Sequence, residues 1–207
     1  MTDQFTIYQV QPIPLLIVIS GPSGVGKDSV LQSMKKRELH FHFVVTVTTR
    51  RPRQGEIEGV DYFFVSPQRY VEMVKKDEFL EHASVYNDCY GIPKQQIVQA
   101  FASGKDVVLR VDVQGAATIR RLCPEALLIF LMPRTKDELV SRLQARKTES
   151  PEALELRKTT ALQELGRVGE FDYVVVNGDG QLEGTVDDIL AIIKAEHHCV
   201  HPRRATL

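Results

Sequence analysis

Charge of one sign is what this sequence lacks: 26 Lys and Arg stand against 27 Asp and Glu in 207 residues, a net charge of −1. No global field is available to grip a nucleic-acid backbone or an anionic membrane, so any anion must be caught locally. Long apolar runs are absent too. Residues 15–19 and 127–132 are apolar throughout, but each is far short of the roughly 20 residues that cross a bilayer. The stretch before Pro14 carries Asp3 and no basic region ahead of an apolar segment, so it reads neither as a secretory signal nor as an Arg-rich presequence. Cysteine is scarce. Cys89, Cys123 and Cys199 are an odd number with no CxxC pair, which points away from a disulfide framework or zinc site and toward a reducing, cytoplasmic setting. Thirteen Gly and ten Pro are ordinary usage and exclude collagen-like or low-complexity chains. What remains has the size of one medium globular domain with room for a small insertion.

Leu15-Leu16-Ile17-Val18-Ile19 is a continuous apolar run of strand length, as expected for a strand covered on both faces of a parallel sheet. Glycines at 21–26 break it. Val30, Leu31 and Met34 then follow at helical spacing, with Lys35, Lys36 and Arg37 where positive charge suits a helix end. The alternation returns as strand 107–111, helix 114–122, strand 127–132, helix 135–146, strand 173–176 and helix 181–194, which predicts an α/β fold with a mostly parallel sheet flanked by helices. The rhythm changes between about 45 and 93, where Arg, Pro and Gly punctuate short mixed segments. The expected organisation is therefore a tail at 1–13, a core at 14–44 and 94–196, an inserted subdomain at 45–93, a lid near 143–157 and a frayed tail at 197–207.

Gly21-Pro22-Ser23-Gly24-Val25-Gly26-Lys27 matches G-x-x-x-x-G-K directly after a strand and before a helix, the context a phosphate loop requires. Its backbone N–H groups, the helix N-terminus and Lys27 together form a cradle for the phosphates of a donor such as ATP. The strict pattern continues with a hydroxyl as Mg²⁺ ligand. Here Asp28 follows, and the hydroxyl comes at Ser29. Asp28 is favourable at a helix start by dipole alone, and it could also hold Mg²⁺ or its waters.

The next cluster, Thr48-Thr49-Arg50-Arg51-Pro52-Arg53 with Gly59-Val60-Asp61-Tyr62-Phe63-Phe64-Val65 after it, resembles the guanylate kinase family, and the resemblance runs from about 14 to 196. It implies a P-loop NTPase-type core with an inserted GMP-binding subdomain and a lid. The implied activity is direct in-line transfer of the γ-phosphoryl of ATP to GMP and dGMP, with Mg²⁺ as cofactor. The partners implied are the two nucleotides, with no nucleic acid or membrane, in a monomer or weak homo-oligomer. By the same resemblance Arg50, Arg53, Tyr62 and Tyr90 hold the acceptor phosphate, a task suited to bidentate guanidinium groups. Glu81 and Asp112 match the family's base-reading acids and Thr46 its hydroxyl facing guanine O6. Adenine would leave those groups unpaired, at about 1–3 kcal/mol for each lost contact. Arg142, Arg146 and Arg157 match the lid arginines, and Asn177 the loop beside the donor adenine.

The chain departs from the family's pattern in two places. Ile92-Pro93 stands where a Ser or Thr usually supports guanine recognition, so one base contact is expected to be missing. Arg110 stands where an acid usually lies near metal and acceptor, which leaves open whether it binds phosphate or offsets Asp28. Two other functions fit parts of the pattern: a kinase of the same fold acting on a sugar bisphosphate, and an inactive protein-binding module. The module typically has a damaged phosphate loop, which this chain does not. His197-His198-Cys199-Val200-His201 has no further ligand set and is not read as a metal site.

Overall fold

A computed structural model describes residues 13–37, 40–53, 55–85, 88–145 and 151–206. Its central sheet has five parallel strands in the order β2 (Phe41–Phe43), β7 (Asp106–Arg110), β1 (Leu16–Ser20), β8 (Leu127–Met132) and β9 (Tyr173–Val176). β1 is buried along its whole length, because helices cover both faces and no position can be polar-facing. Ile17, Ile19, Leu127, Ile129 and Leu131 pack on one side against α1 (Lys27–Arg37) and α7 (Leu182–His197). Leu16, Val18, Val107, Leu109 and Leu128 pack on the other against α3 (Lys94–Ala102) and α4 (Val113–Leu122).

Residues 46–93 form a second sheet, in the order β4 (Tyr62–Phe64), β3 (Thr46–Thr48), β6 (Asp88–Pro93) and β5 (Phe79–Val85). Its β3–β6 and β5–β6 pairs are antiparallel and its β3–β4 pair is parallel. α2 (Pro67–Lys75) opens with Ser66 accepting the Arg69 N–H at 3.1 Å, then Pro67, a sequence-local helix start. Tyr70 and Met73 of this helix meet Phe79 and Val47 in a small core of their own, and the Tyr70 hydroxyl donates to the Tyr90 carbonyl at 2.8 Å. This packing fixes the strand that carries Tyr90.

α5 (Lys136–Gln144) and α6 (Pro151–Leu165) run on from β8. The expected helix 135–146 thus stops at Gln144, and Arg146 lies outside the described residues. The expected frayed tail is a correction. α7 extends to His197, whose Nε2 is 2.7 Å from the Asp106 carboxylate, and Arg203 pairs with Glu196 at 3.0 Å and Asp172 at 3.4 Å. Ala205 packs onto the apolar cluster on the α3–α4 side. These anchors are irregular in spacing, so a search for periodicity sees none of them.

Candidate functional site

The phosphate loop turns between β1 and α1. Gly26 holds φ +100, and a Cβ there would lie 2.5 Å from the Asn177 Nδ2, so both the turn and the close approach require glycine. Lys27 folds back over the loop, its Nζ donating to the carbonyls of Gly21 at 2.6 Å and Pro22 at 3.1 Å. Burial lowers its pKa, partly opposed by Glu164, Asp28 and Asp112. An anionic ligand would raise it again and gain from doing so. Ser29 is exposed in the first turn of α1.

The loop opens into a cleft between the two sheets. Lys27, Glu81, Asp112, Thr46, Tyr62 and Tyr90 all stand in its wall, and Asp112 is near enough to Lys27 to act on its charge. The central strand β7 and helix α4 deliver Asp112, whereas β3, β4, β5 and β6 deliver the rest, so the site exists only where the second sheet faces the first. A Cβ at Gly115 would lie 3.4 Å from both the Glu81 carboxyl carbon and the Asp112 Oδ1. The two acids therefore converge over a position kept bare. Glu81 is 8% exposed, and its pKa is pushed up to about 7 by burial first and Asp112 second, with no hydrogen bond among the described residues to offset them. Asp112 also caps α4, its Oδ1 accepting the Gly115 N–H at 2.8 Å, so one carboxylate serves both helix and cleft. Ile92 lines the cleft, but its side chain is buried with Leu80 and Ile97; it supplies wall and no hydrogen bond.

The arginines divide. Arg50 sits over the Tyr62 ring at 5.1 Å, with 10% of its side chain exposed, and pairs with Glu56 at 2.7 Å. Arg53 is exposed and lines a neighbouring cleft, separated from the first by Asp28, Tyr62 and Arg110. Arg110 pairs with Asp28 and lies 4.9 Å from the Tyr62 ring centre. Arg142 is drawn behind the phosphate loop and not into the cleft: it donates to the Val25 carbonyl at 3.0 Å and the Asn177 carbonyl at 3.0 Å, and pairs with Glu138 and Asp179. Two carboxylates hold it there. Arg157 lies on α6, the helix whose Leu156, Thr160 and Glu164 line a further cleft beside Lys27.

Asn177 is likewise spent on the loop's backbone. Its Nδ2 donates to the Val25 carbonyl at 2.7 Å, and its Oδ1 accepts from Thr185 at 3.2 Å. Sequence reasoning passed over Glu164, whose carboxylate accepts the Ser23 N–H at 3.0 Å across 141 residues of chain. It also passed over Glu138, which accepts the N–H of Asp179 and holds Arg142. Neither residue belongs to a local motif.

The chain matches the guanylate kinase family profile over residues 14–196. It is 49% identical to guanylate kinase 2, chloroplastic/mitochondrial, of Oryza sativa subsp. japonica over 95% of this chain and 69% of that protein. It is 43% identical to the guanylate kinase of Halalkalibacterium halodurans over 88% of this chain and 89% of that protein. The crystal structure of guanylate kinase from Anaplasma phagocytophilum superposes with a TM-score of 0.75 at 29% identity, covering 93% of this chain and 90% of the other. A phosphate loop and two converging acids lining one cleft, and a match across nearly the whole length, lead to one conclusion: the chain belongs to the guanylate kinase family.

Proposed function

We propose that the cleft between the sheets holds GMP or dGMP and that the loop at Gly21–Lys27 holds the phosphates of ATP, the two substrates of this ATP:GMP phosphotransferase. The observation that carries the reading is the pair of acids over Gly115, in the wall of the cleft that Lys27 also lines. Guanine offers N1–H and N2–H₂ on one edge, and two carboxylates suit those donors; adenine presents an acceptor at N1, which they would repel. Thr46 offers a hydroxyl to O6. Tyr62 and Tyr90, whose rings are 6.3 Å apart in the cleft wall, present hydroxyl donors, with Arg50 over the Tyr62 ring. Arg53, Arg146 and Arg157 add positive charge when the enzyme closes, and Arg142 and Asn177 hold the phosphate loop in shape.

Phosphoryl transfer asks little covalent chemistry of a protein; it asks for alignment and charge neutralisation in a site without water. Lys27 supplies one positive charge at the transferring group. The magnesium ion that accompanies ATP supplies further neutralisation, and Ser29 would hold it, with the Asp28 carboxylate adjacent. Among the described residues no three His, Cys, Asp or Glu cluster into a metal cage. A lone hydroxyl near phosphates and water fits the way Mg²⁺ is usually bound.

No helix among the described residues is long and apolar enough to cross a membrane. Free Cys89, Cys123 and Cys199 fit a reducing, cytosol-like compartment. The sugar-bisphosphate and protein-binding readings are not favoured by the relatives. ATP consumption measured with GMP, dGMP, AMP and a sugar bisphosphate tests the assignment. Turnover with the two guanine nucleotides alone is expected, and preference for a non-guanine acceptor would overturn it.

A further inference from the structure

Arg110 ends β7, two residues before Asp112, and stands in the same cleft wall as Lys27 and the acid pair. We propose that Arg110 is an additional ligand of the acceptor's phosphate, held by Asp28 until that phosphate arrives and then exchanged from carboxylate to phosphate. The proposal rests on the reading of the cleft as the acceptor site.

Three observations carry it. Arg110 lies 4.9 Å from the ring centre of Tyr62 and shares a side-chain hydrogen bond with it, so its guanidinium meets the hydroxyl assigned to the phosphate. Its side chain is 21% exposed whereas that of Asp28 is 60% exposed. Release of Asp28 therefore costs little, since water is at hand to take over that carboxylate, whereas the guanidinium would be left in a poorly hydrated wall. A nucleoside monophosphate brings two negative charges and three acceptor oxygens against the one charge of Asp28, and the planar fork of five N–H donors can meet it bidentately. The resting ion pair also has a purpose. Arg110, Lys27 and Arg50 all border this region, and Asp28 together with Glu56 keeps two of those cations balanced while no nucleotide is bound.

Calorimetric titration of GMP and of guanosine into the full chain, without ATP or divalent metal, tests the exchange. Arg110→Met is expected to weaken GMP by roughly ten- to a hundredfold, the loss of one charge-assisted contact, and to leave guanosine unchanged. Arg110→Lys, which retains charge but not the fork, is expected to lose less and guards against a folding artefact in the larger change. Asp28→Asn is expected to tighten GMP, and to do nothing once Arg110 is Met, because the competitor then has nothing to compete for. Equal GMP affinity in wild type and Arg110→Met would overturn the proposal, as would weaker GMP binding in Asp28→Asn. A wild-type protein that binds neither GMP nor guanosine would instead sink the assignment of the cleft itself.

Discussion

Glu81→Gln separates what the cleft needs from what the fold prefers. The ordinary value for a glutamate is 4.5, and burial beside Asp112 pushes Glu81 up to about 7. The folded protein therefore holds this proton more tightly than the unfolded chain does. Stability from the neutral acid is fully present below about 4.5 and is lost as pH rises toward about 7. At about 1.4 kcal/mol per pH unit, the window from 4.5 to about 7 comes to about 3 kcal/mol. Glutamine never ionises. Urea unfolding of both proteins at several pH values should show the variant gaining on wild type between acid and mildly alkaline conditions, by up to about 3 kcal/mol. Any fixed cost of the new amide shifts every point equally and leaves the slope intact. The same change should raise KM for GMP, relax discrimination against AMP and spare KM for ATP, and wild-type affinity for GMP should rise with pH as Glu81 ionises. A stability difference that does not vary with pH would refute the buried, uncompensated carboxylate on which the argument rests.

Two further changes probe the donor side. Lys27→Met should reduce kcat by roughly 10²- to 10³-fold, as loss of one preorganised electrostatic group does, and turnover near the wild-type rate would remove Lys27 from the reaction. Asn177→Ala deletes the bond to the Val25 carbonyl and should cost about 1–2 kcal/mol, a fall in Tm of roughly 3–6 °C, while raising KM for ATP more than for GMP. An unchanged melting temperature, or equal damage to both substrates, would deny it the part of loop holder.

How far the sequence reached follows from the range of each interaction. β8 and β9 were legible to their last residues because an apolar run between breakers is a local signal. The phosphate loop was legible for the same reason, since one turn contains all its parts. The expected strand 107–111 lies one residue later than β7, because Asp106 looks like a loop residue. Its carboxylate in fact accepts the Leu15 N–H at 2.8 Å and meets His197, and neither partner is near it in sequence. Thr46, Tyr62, Glu81, Tyr90 and Asp112 follow from the resemblance to the guanylate kinase family, and they line one cleft. The contacts of Arg142 and Asn177 with the phosphate loop are not legible in the sequence. Both resemble donor-site residues by position, yet their side chains are bound to loop carbonyls through contacts spanning 117 and 152 residues. Glu164 escaped on the same ground: a glutamate in a polar helix carries no mark that its carboxylate reaches a phosphate-loop amide.

The most direct test is a crystal structure of the chain with GMP and a non-hydrolysable ATP analogue bound together. The account predicts guanine with its N1 and N2 edge on Glu81 and Asp112, its phosphate beside Tyr62 and Tyr90, and the triphosphate wrapped by the Gly21–Lys27 loop. Guanine seated elsewhere, or either acid turned away from a nucleotide that does fill the cleft, would contradict it.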